Sequence, residues 1–437
     1  MSVRSLALLL VLSAPALAQP VKLGETVRPG DHFRYDLTLT LDMKMKVERD
    51  GKAHTLSRKG EAVHKFAERI EAADAGGAGG RAVRHYDTAK LTATLAGDVT
   101  RLELPADRRL TLAVRTETGT LTVCPAGPLT REQLELVGEH FDTLALPALL
   151  PSKELKAGET WAVGDAAAQH ACQFDGLVKN EIKGTLAAVK DGVATFTLAG
   201  KAEGVSQGAV VKTTVAASGT FDVKAERITA LTWEETGERE LGPASPAAEV
   251  KAVVRMTRTP LTEEPKELSA EARAKVPADK IPAEMTRLAL TDPDGKYALV
   301  YPREWVVVVQ QGEHTVLRLM TNGEFQTQAT LTGWKKADKG SHTPADEFKQ
   351  VLAKLPGWEP GQVLADEEKP TSDGRWVYKL SARGKQDGAD VVQTFYLVAG
   401  TNGDQVAVTF LTAPDKTGKQ TEREAELLGG ISFTGKR

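Results

Sequence analysis

Tyr35-Asp-Leu-Thr-Leu-Thr-Leu-Asp-Met-Lys-Met-Lys-Val47 is the stretch that decides how this chain reads. Its odd positions are Tyr35, Leu37, Leu39, Leu41, Met43, Met45 and Val47, and every even position is polar or charged. A period of two marks a β-strand, whose successive side chains point to opposite faces. At ~3.3 Å per residue the strand spans roughly 40 Å. One face is wet; the other must be covered by a core, a partner or an apolar ligand. Leu37, Leu39, Leu41, Met43 and Met45 therefore form the candidate apolar-ligand face, and methionine repacks readily around a guest. Lys44 and Lys46 keep the opposite face soluble.

Outward from this strand, Asp50-Gly51 signals a hairpin, and the chain returns through 56–70. Asp74-Ala-Gly-Gly-Ala-Gly-Gly80 reads as a loop. Segments 81–95, 99–104 and 110–124 read as further strands of an antiparallel meander, broken at Gly97-Asp98 and Pro105. A helix is expected over 129–136, with Thr130 as its cap and Glu132 and Gln133 in its first turn. Leu155-Lys-Ala-Gly-Glu-Thr-Trp161 then echoes Val27-Arg-Pro-Gly-Asp-His-Phe33. The echo suggests two related halves, 21–150 and 151–258, each opened by the same turn. Strands follow at 182–190, 193–198, 209–216, 219–223, 228–233 and 250–257.

Before the first strand, Arg4, an apolar run and Ala16-Leu17-Ala18 spell a secretory signal peptide over 1–18, cut before Gln19. A secreted or periplasmic location is the expectation. The remaining chain of about 420 residues is long enough for two or three domains. Net charge is −3 with acids and bases interspersed, which argues against nucleic acid as a partner. No later stretch is apolar and long enough for a transmembrane helix. For Cys124 and Cys172, an oxidising compartment favours one disulfide, worth roughly 4 kcal/mol by chain entropy. Two unpaired thiols, or a metal site shared with His140 and His170, are the alternatives.

A Pro-rich, charged run at 259–284 reads as a linker with few contacts. Beyond it lie four of the six tryptophans, Trp305, Trp334, Trp358 and Trp376, which implies a second core. Tyr301-Pro302-x-x-Trp305 follows a strand, Thr343-Pro-x-Asp346 opens a helix, and a last helix runs into Ile431-Ser-Phe433. In these features 285–437 resembles the PsbP-like α/β/α sandwich shared by DcrB-type secreted bacterial proteins. The resemblance implies a binding or accessory domain and carries over no catalytic residue. Region 19–258 resembles secreted bacterial β-rich proteins only in its Gly-Glu-Thr-Trp161 turn. The fold class is thus mainly β with α+β: a large antiparallel curved sheet or half-barrel, then a PsbP-like sandwich.

Motifs that could carry chemistry are few. Gly204-Val-Ser206-Gln-Gly208 fits G-x-S-x-G, but a nucleophile elbow needs a helix after the serine, and strand-like sequence follows instead. Gly77-Ala-Gly79-Gly-Arg-Ala82 fits a loosened dinucleotide fingerprint without the helix it requires. The eight histidines form no zinc signature, and Glu234-Glu235 reads as solvated charge. The expectation is a non-enzymatic protein with no catalytic, cofactor or metal residues. It is read as a binding or accessory protein of the bacterial cell envelope whose partner is a protein or an apolar ligand. A lipid carrier is the alternative, and a hydrolase acting through Ser206 the remote one.

Overall fold

The computed structural model describes residues 19–433 except 50, 75, 139, 322, 370 and 420, so the expected signal peptide lies outside the described residues. The alternating stretch is the middle of an 18-residue strand, β1 (His32–Arg49). It pairs with β2 (Lys52–Ala73), which pairs with β3 (Gly79–Leu95). The meander continues through β4 (Leu110–Thr116) and β5 (Gly119–Val123). On its other edge β1 meets a second meander. This comprises β6 (Lys183–Lys190), β7 (Val193–Ser206), β8 (Ala209–Asp222), β9 (Arg227–Arg239) and β10 (Ala247–Pro260). The β10–β1 pairing joins the two into one open antiparallel sheet of 13 strands, ending at Thr160–Ala162 on one side and β5 on the other.

The internal echo is structural. Gly30 and Gly158 both take positive φ, at 95° and 88°, which glycine adopts without strain. Arg28 N donates to Asp31 Oδ2 at 2.9 Å, and Lys156 N donates to Glu159 Oε2 at 2.8 Å. The same turn thus opens both segments.

Segment 129–175 crosses the sheet's apolar face. Its first helix, α1 (Arg131–Gly138), carries the expected capping box: Gln133 N donates to Thr130 Oγ1, and Thr130 N donates to Gln133 Oε1. A second helix, α2 (Asp165–Ala171), was not read from the sequence. Its alanine-rich segment lacks a side-chain cap and reads as neutral filler. Phe141 meets Trp233 at 5.5 Å and Trp161 meets Phe196 at 6.4 Å, so the crossing segment fills the trough between the meanders.

The 259–284 segment is not the sparsely contacted linker expected. Leu268 is fully buried with Ala67, Val83, Leu112 and Val123 on the sheet's other face. Arg273 pairs with Glu71 at 3.1 Å, and Arg34 with Glu267 at 3.0 Å. Ala67, which pairs with Arg34 on the nominally wet face, and Val83, Leu112 and Val123 beside it required this cladding.

Beyond it, β11 (Leu288–Thr291) pairs in parallel with Leu129–Thr130 and antiparallel with β12 (Ala298–Tyr301). A seven-stranded antiparallel sheet follows, built from β13 (Trp305–Gln311), β14 (His314–Thr321), β15 (Glu324–Gly333), β16 (Trp358–Lys369), β17 (Trp376–Gln386), β18 (Ala389–Ala399) and β19 (Gln405–Thr412). Its order is β13-β14-β15-β19-β18-β17-β16. Helix α3 (Ala345–Leu352) covers one face through Phe348 and Leu352. The other face joins the main core, together with Leu427 of α4 (Thr421–Gly429). This is why β18 is buried at every position from 391 to 399.

The main core is continuous: Phe33, Leu129, Phe174, Trp305 and Phe410 belong to one cluster. The hairpin tips also touch. A Cβ at Gly208 would lie 2.4 Å from the Gly323 carbonyl, and Arg303 donates to Thr122 O at 2.6 Å.

The expected disulfide is absent: Cys124 and Cys172 are both free and buried. Cys124 ends just past β5 with its thiol 3.9 Å from Arg108 O, while Cys172 closes α2 beside Glu235. Both residues belong to the main core. Burial, and then Glu235, push the Cys172 thiol well up, so it stays protonated.

Trp305 is 1% exposed and meets Phe410 edge-on at 6.1 Å. Trp305→Ala should cost about 3–5 kcal/mol, read as a lowered urea midpoint. An unchanged midpoint would remove Trp305 from the core.

Candidate functional site

Two places gather chemistry, and both follow from how segment 129–175 lies on the sheet. The first is the part of the apolar face it leaves uncovered. Leu37 is 1% exposed and its β10 partner Met256 is 3% exposed. Val254, opposite Leu39, is 6% exposed, and Leu39 itself packs against the core. From there the cover stops. Leu41, Met43 and Met45 are only partly buried and belong to no core cluster. Their partners are Ala252, Val250 and Ala248 on β10, and Gly60, Arg58 and Leu56 on β2. Ala248, Ala252 and Gly60 are small, and among them Leu41, Met43 and Met45, three of the five candidate side chains, floor a shallow trough.

Arg58, Glu235 and Arg239 are among the charged groups of this face. Arg58 is 3.8 Å from Glu135 of α1. Glu235, on β9 opposite Ala252, accepts from Trp233 Nε1 at 2.5 Å. Burial pushes its carboxyl up to about 7, so it is not the solvated charge the sequence suggested. Arg239 lies four residues further along β9, opposite Ala248.

The second place is a cavity of about 250 Å³ where α2, the β4–β5 turn and the β7–β8 turn meet. Arg84, His140, Asp142, His170, Asp175 and Ser206 line it. Asp142 accepts from Leu144 N and from Thr120 Oγ1, both at 3.1 Å. His170 Nδ1 lies 3.6 Å from Asp142 Oδ2. Burial lowers the His170 pKa, Arg115 lowers it further, and Asp142 opposes both. Ser206 ends β7, and β8 begins at Ala209. The turn between them is Gln207-Gly208, both at positive φ, a two-residue hairpin and not a nucleophile elbow. Asp175 holds the turn by accepting from Gln207 N at 2.7 Å.

Behind this cavity is a buried polar network. Arg84 Nε donates to Glu68 Oε2 at 2.8 Å, and Thr143 Oγ1 donates to the same oxygen at 2.7 Å. Burial pulls the Arg84 guanidinium down, but Glu68 beside it more than restores its charge. His140 Nδ1 donates to Phe141 O at 2.8 Å, so Nε2 receives the Tyr86 hydroxyl at 2.8 Å. The His64 ring lies 5.0 Å from that of His140. The sequence showed these histidines as scattered, because 76 positions separate a strand residue from a loop residue that only packing unites.

Cys124, His140, His170 and Cys172 do not come together as metal donors among the described residues. The group with suitable spacing there is His85, Asp87 and Glu267, but Arg34 already bridges Asp87 and Glu267. Gly77 and Gly79 lie where β2 turns into β3, with no helix behind them. A wide groove of about 730 Å³ lies on the polar face around Lys44, Lys212, Glu238 and Glu249. Its lining lysines and acids balance, so it selects no charge.

No protein-family model matches the chain, and no curated protein matches it in sequence. Among solved structures, PsbP from Synechocystis sp. PCC 6803 is 14% identical, over 34% of this chain and 93% of its own, at a TM-score of 0.28. The Ran-binding protein Mog1p of Saccharomyces cerevisiae is 13% identical, over 34% and 95%, at 0.26. Lipovitellin is 9% identical, over 56% and 27%, at 0.31. The resemblance to the PsbP-like fold is weak and structural. Among the described residues no helix is long and apolar enough to cross a membrane.

His64 is 2% exposed, and burial pushes its pKa down to about 4. The unfolded imidazole titrates near 6.5, so the folded state binds its proton later. Its contribution is complete above about pH 6.5 and is lost as pH falls towards 4, about 3 kcal/mol in all. Between about pH 7 and about pH 4 the wild type should lose that much more stability than His64→Leu. Parallel stability curves would show that His64 is not held neutral.

Proposed function

We propose that this is a secreted, non-enzymatic binding protein of the bacterial cell envelope, with an apolar ligand held on the uncovered apolar trough. One observation carries the reading: the apolar stripe of β1 is buried at Leu37 and loses its cover from Leu41 to Met45. A strand face that only needed solubility would place polar residues there. Methionines at its open end suit a guest of variable shape. A protein segment is the other occupant such a face could take.

Native mass spectrometry of the purified full chain distinguishes them. The expected result is a small apolar adduct that Met43→Glu removes while changing stability by less than about 0.5 kcal/mol, since the site is partly exposed. A protein-sized adduct, or none, counts against a carrier.

A second reading rests on a different observation: Ser206, His170 and Asp142 line one cavity. With Asp142 3.6 Å from Nδ1, His170 Nε2 could take the Ser206 proton as the hydroxyl attacks an ester carbonyl and pass it to the departing alcohol as the ester C–O bond breaks, after which water hydrolyses the acyl-serine. A fluorophosphonate probe tests this. Labelling at Ser206 that His170→Gln abolishes supports hydrolysis, and an unlabelled protein removes it.

A further inference from the structure

Arg239 stands at the end of the trough without a counter-charge. It has the same parity along β9 as Leu231, Trp233 and Glu235, so its side chain leaves the sheet on the apolar side. Registers place it two strands from Met45: Met45 pairs with Ala248, and Ala248 pairs with Arg239. At ~4.8 Å per strand the guanidinium stem starts about 10 Å from Met45. Its Nε donates to Pro246 O at 3.1 Å. Among the described residues it has no ion-pair partner, and no carboxylate offsets the burial that lowers its pKa.

The other charges of this face differ. Arg58 lies 3.8 Å from Glu135, a carboxylate it shares with Arg131, and the Glu235 carboxyl is bonded by Trp233 about four residues, or ~13 Å, from Arg239. A partly buried guanidinium with Nε engaged still presents its two terminal nitrogens as a fork, which matches a carboxylate bidentately. The trough floor beside it is Met45, Met43 and Leu41 on β1, with Val250 and Ala252 on β10. It is two strands wide, ~5 Å between axes, about the breadth of one extended hydrocarbon chain.

We propose that the trough takes a free long-chain fatty acid, its chain along β1 and β10 and its carboxylate on the Arg239 fork. This rests on the apolar-ligand reading above and adds the charge and the single chain. The complementarity is specific: a half-buried guanidinium without a carboxylate partner beside an apolar track, with the exposed Lys52 also on this side, favours an amphiphile with one anionic head over a neutral or cationic one.

Calorimetric titration of the full chain with sodium oleate, below its aggregation threshold, and with oleyl alcohol tests it. The wild type should bind oleate at least about tenfold more tightly than the alcohol, the scale of one charge-assisted pair. Arg239→Gln should bring oleate down to the affinity of the alcohol, Arg239→Lys should retain part of the preference, and Met43→Glu should abolish binding of both. Equal binding of oleate and alcohol by the wild type overturns the proposal while the apolar trough stands. Binding of neither overturns the trough reading as well. Binding only to phosphatidylglycerol vesicles overturns the free-acid assignment. If Arg239→Gln does not fold, the wild-type comparison decides alone.

Discussion

An open sheet whose long strands share one alternating pattern has an apolar face too large to leave in water. At ~25 cal/mol per Å² the penalty for exposing it would exceed the whole stability of a domain. The sheet does not close into a barrel, so it cannot cover itself. Everything else in the fold answers that demand. Segment 129–175 lies across the trough, the second sheet adds its own apolar face behind that segment, and the 259–284 stretch clads the far side where Ala67 and Leu112 emerge.

Covering a sheet with irregular chain brings polar groups inside, and the structure meets that cost with paired charges. Glu68 with Arg84 and Glu25 with Arg258 are both fully buried ion pairs. Such pairs add little net stability, but breaking one is expensive, so they fix which loop docks where. Glu68 also accepts from Thr143, the first residue of the 143–149 turn, which ties the crossing segment to β2. His64 and His140 sit between these anchors as neutral rings, which makes the same contact the one acid loosens.

Much of the site was legible in β1 and little elsewhere. Leu37 to Met45 were readable as an apolar face because strand periodicity is local, and the gradient in their cover was not, because cover is supplied by residues a hundred positions away. Ser206 was readable as a hairpin turn from the strands flanking it. That His170 and Asp142 share its cavity was invisible, since an alanine-rich helix and a loop supply them. Glu235 was read as solvated because adjacency to Glu234 was its only sequence feature; burial beside Trp233 and the Cys172 end of α2 made it unusual.

From its sequence alone this protein is a mainly β chain with one long two-faced strand, hairpins at Asp-Gly turns, a capped helix at Thr130 and a second tryptophan-rich region. These are properties of neighbours along the chain, set by side-chain alternation, turn geometry and capping. Only the tertiary structure decided that the two cysteines stay apart, that the Pro-rich stretch is cladding, that both sheets share a core, and that Arg239 reaches an open apolar track unpaired. Those outcomes depend on which distant faces meet when the apolar surface is buried, and hydrophobic burial has no direction along the sequence.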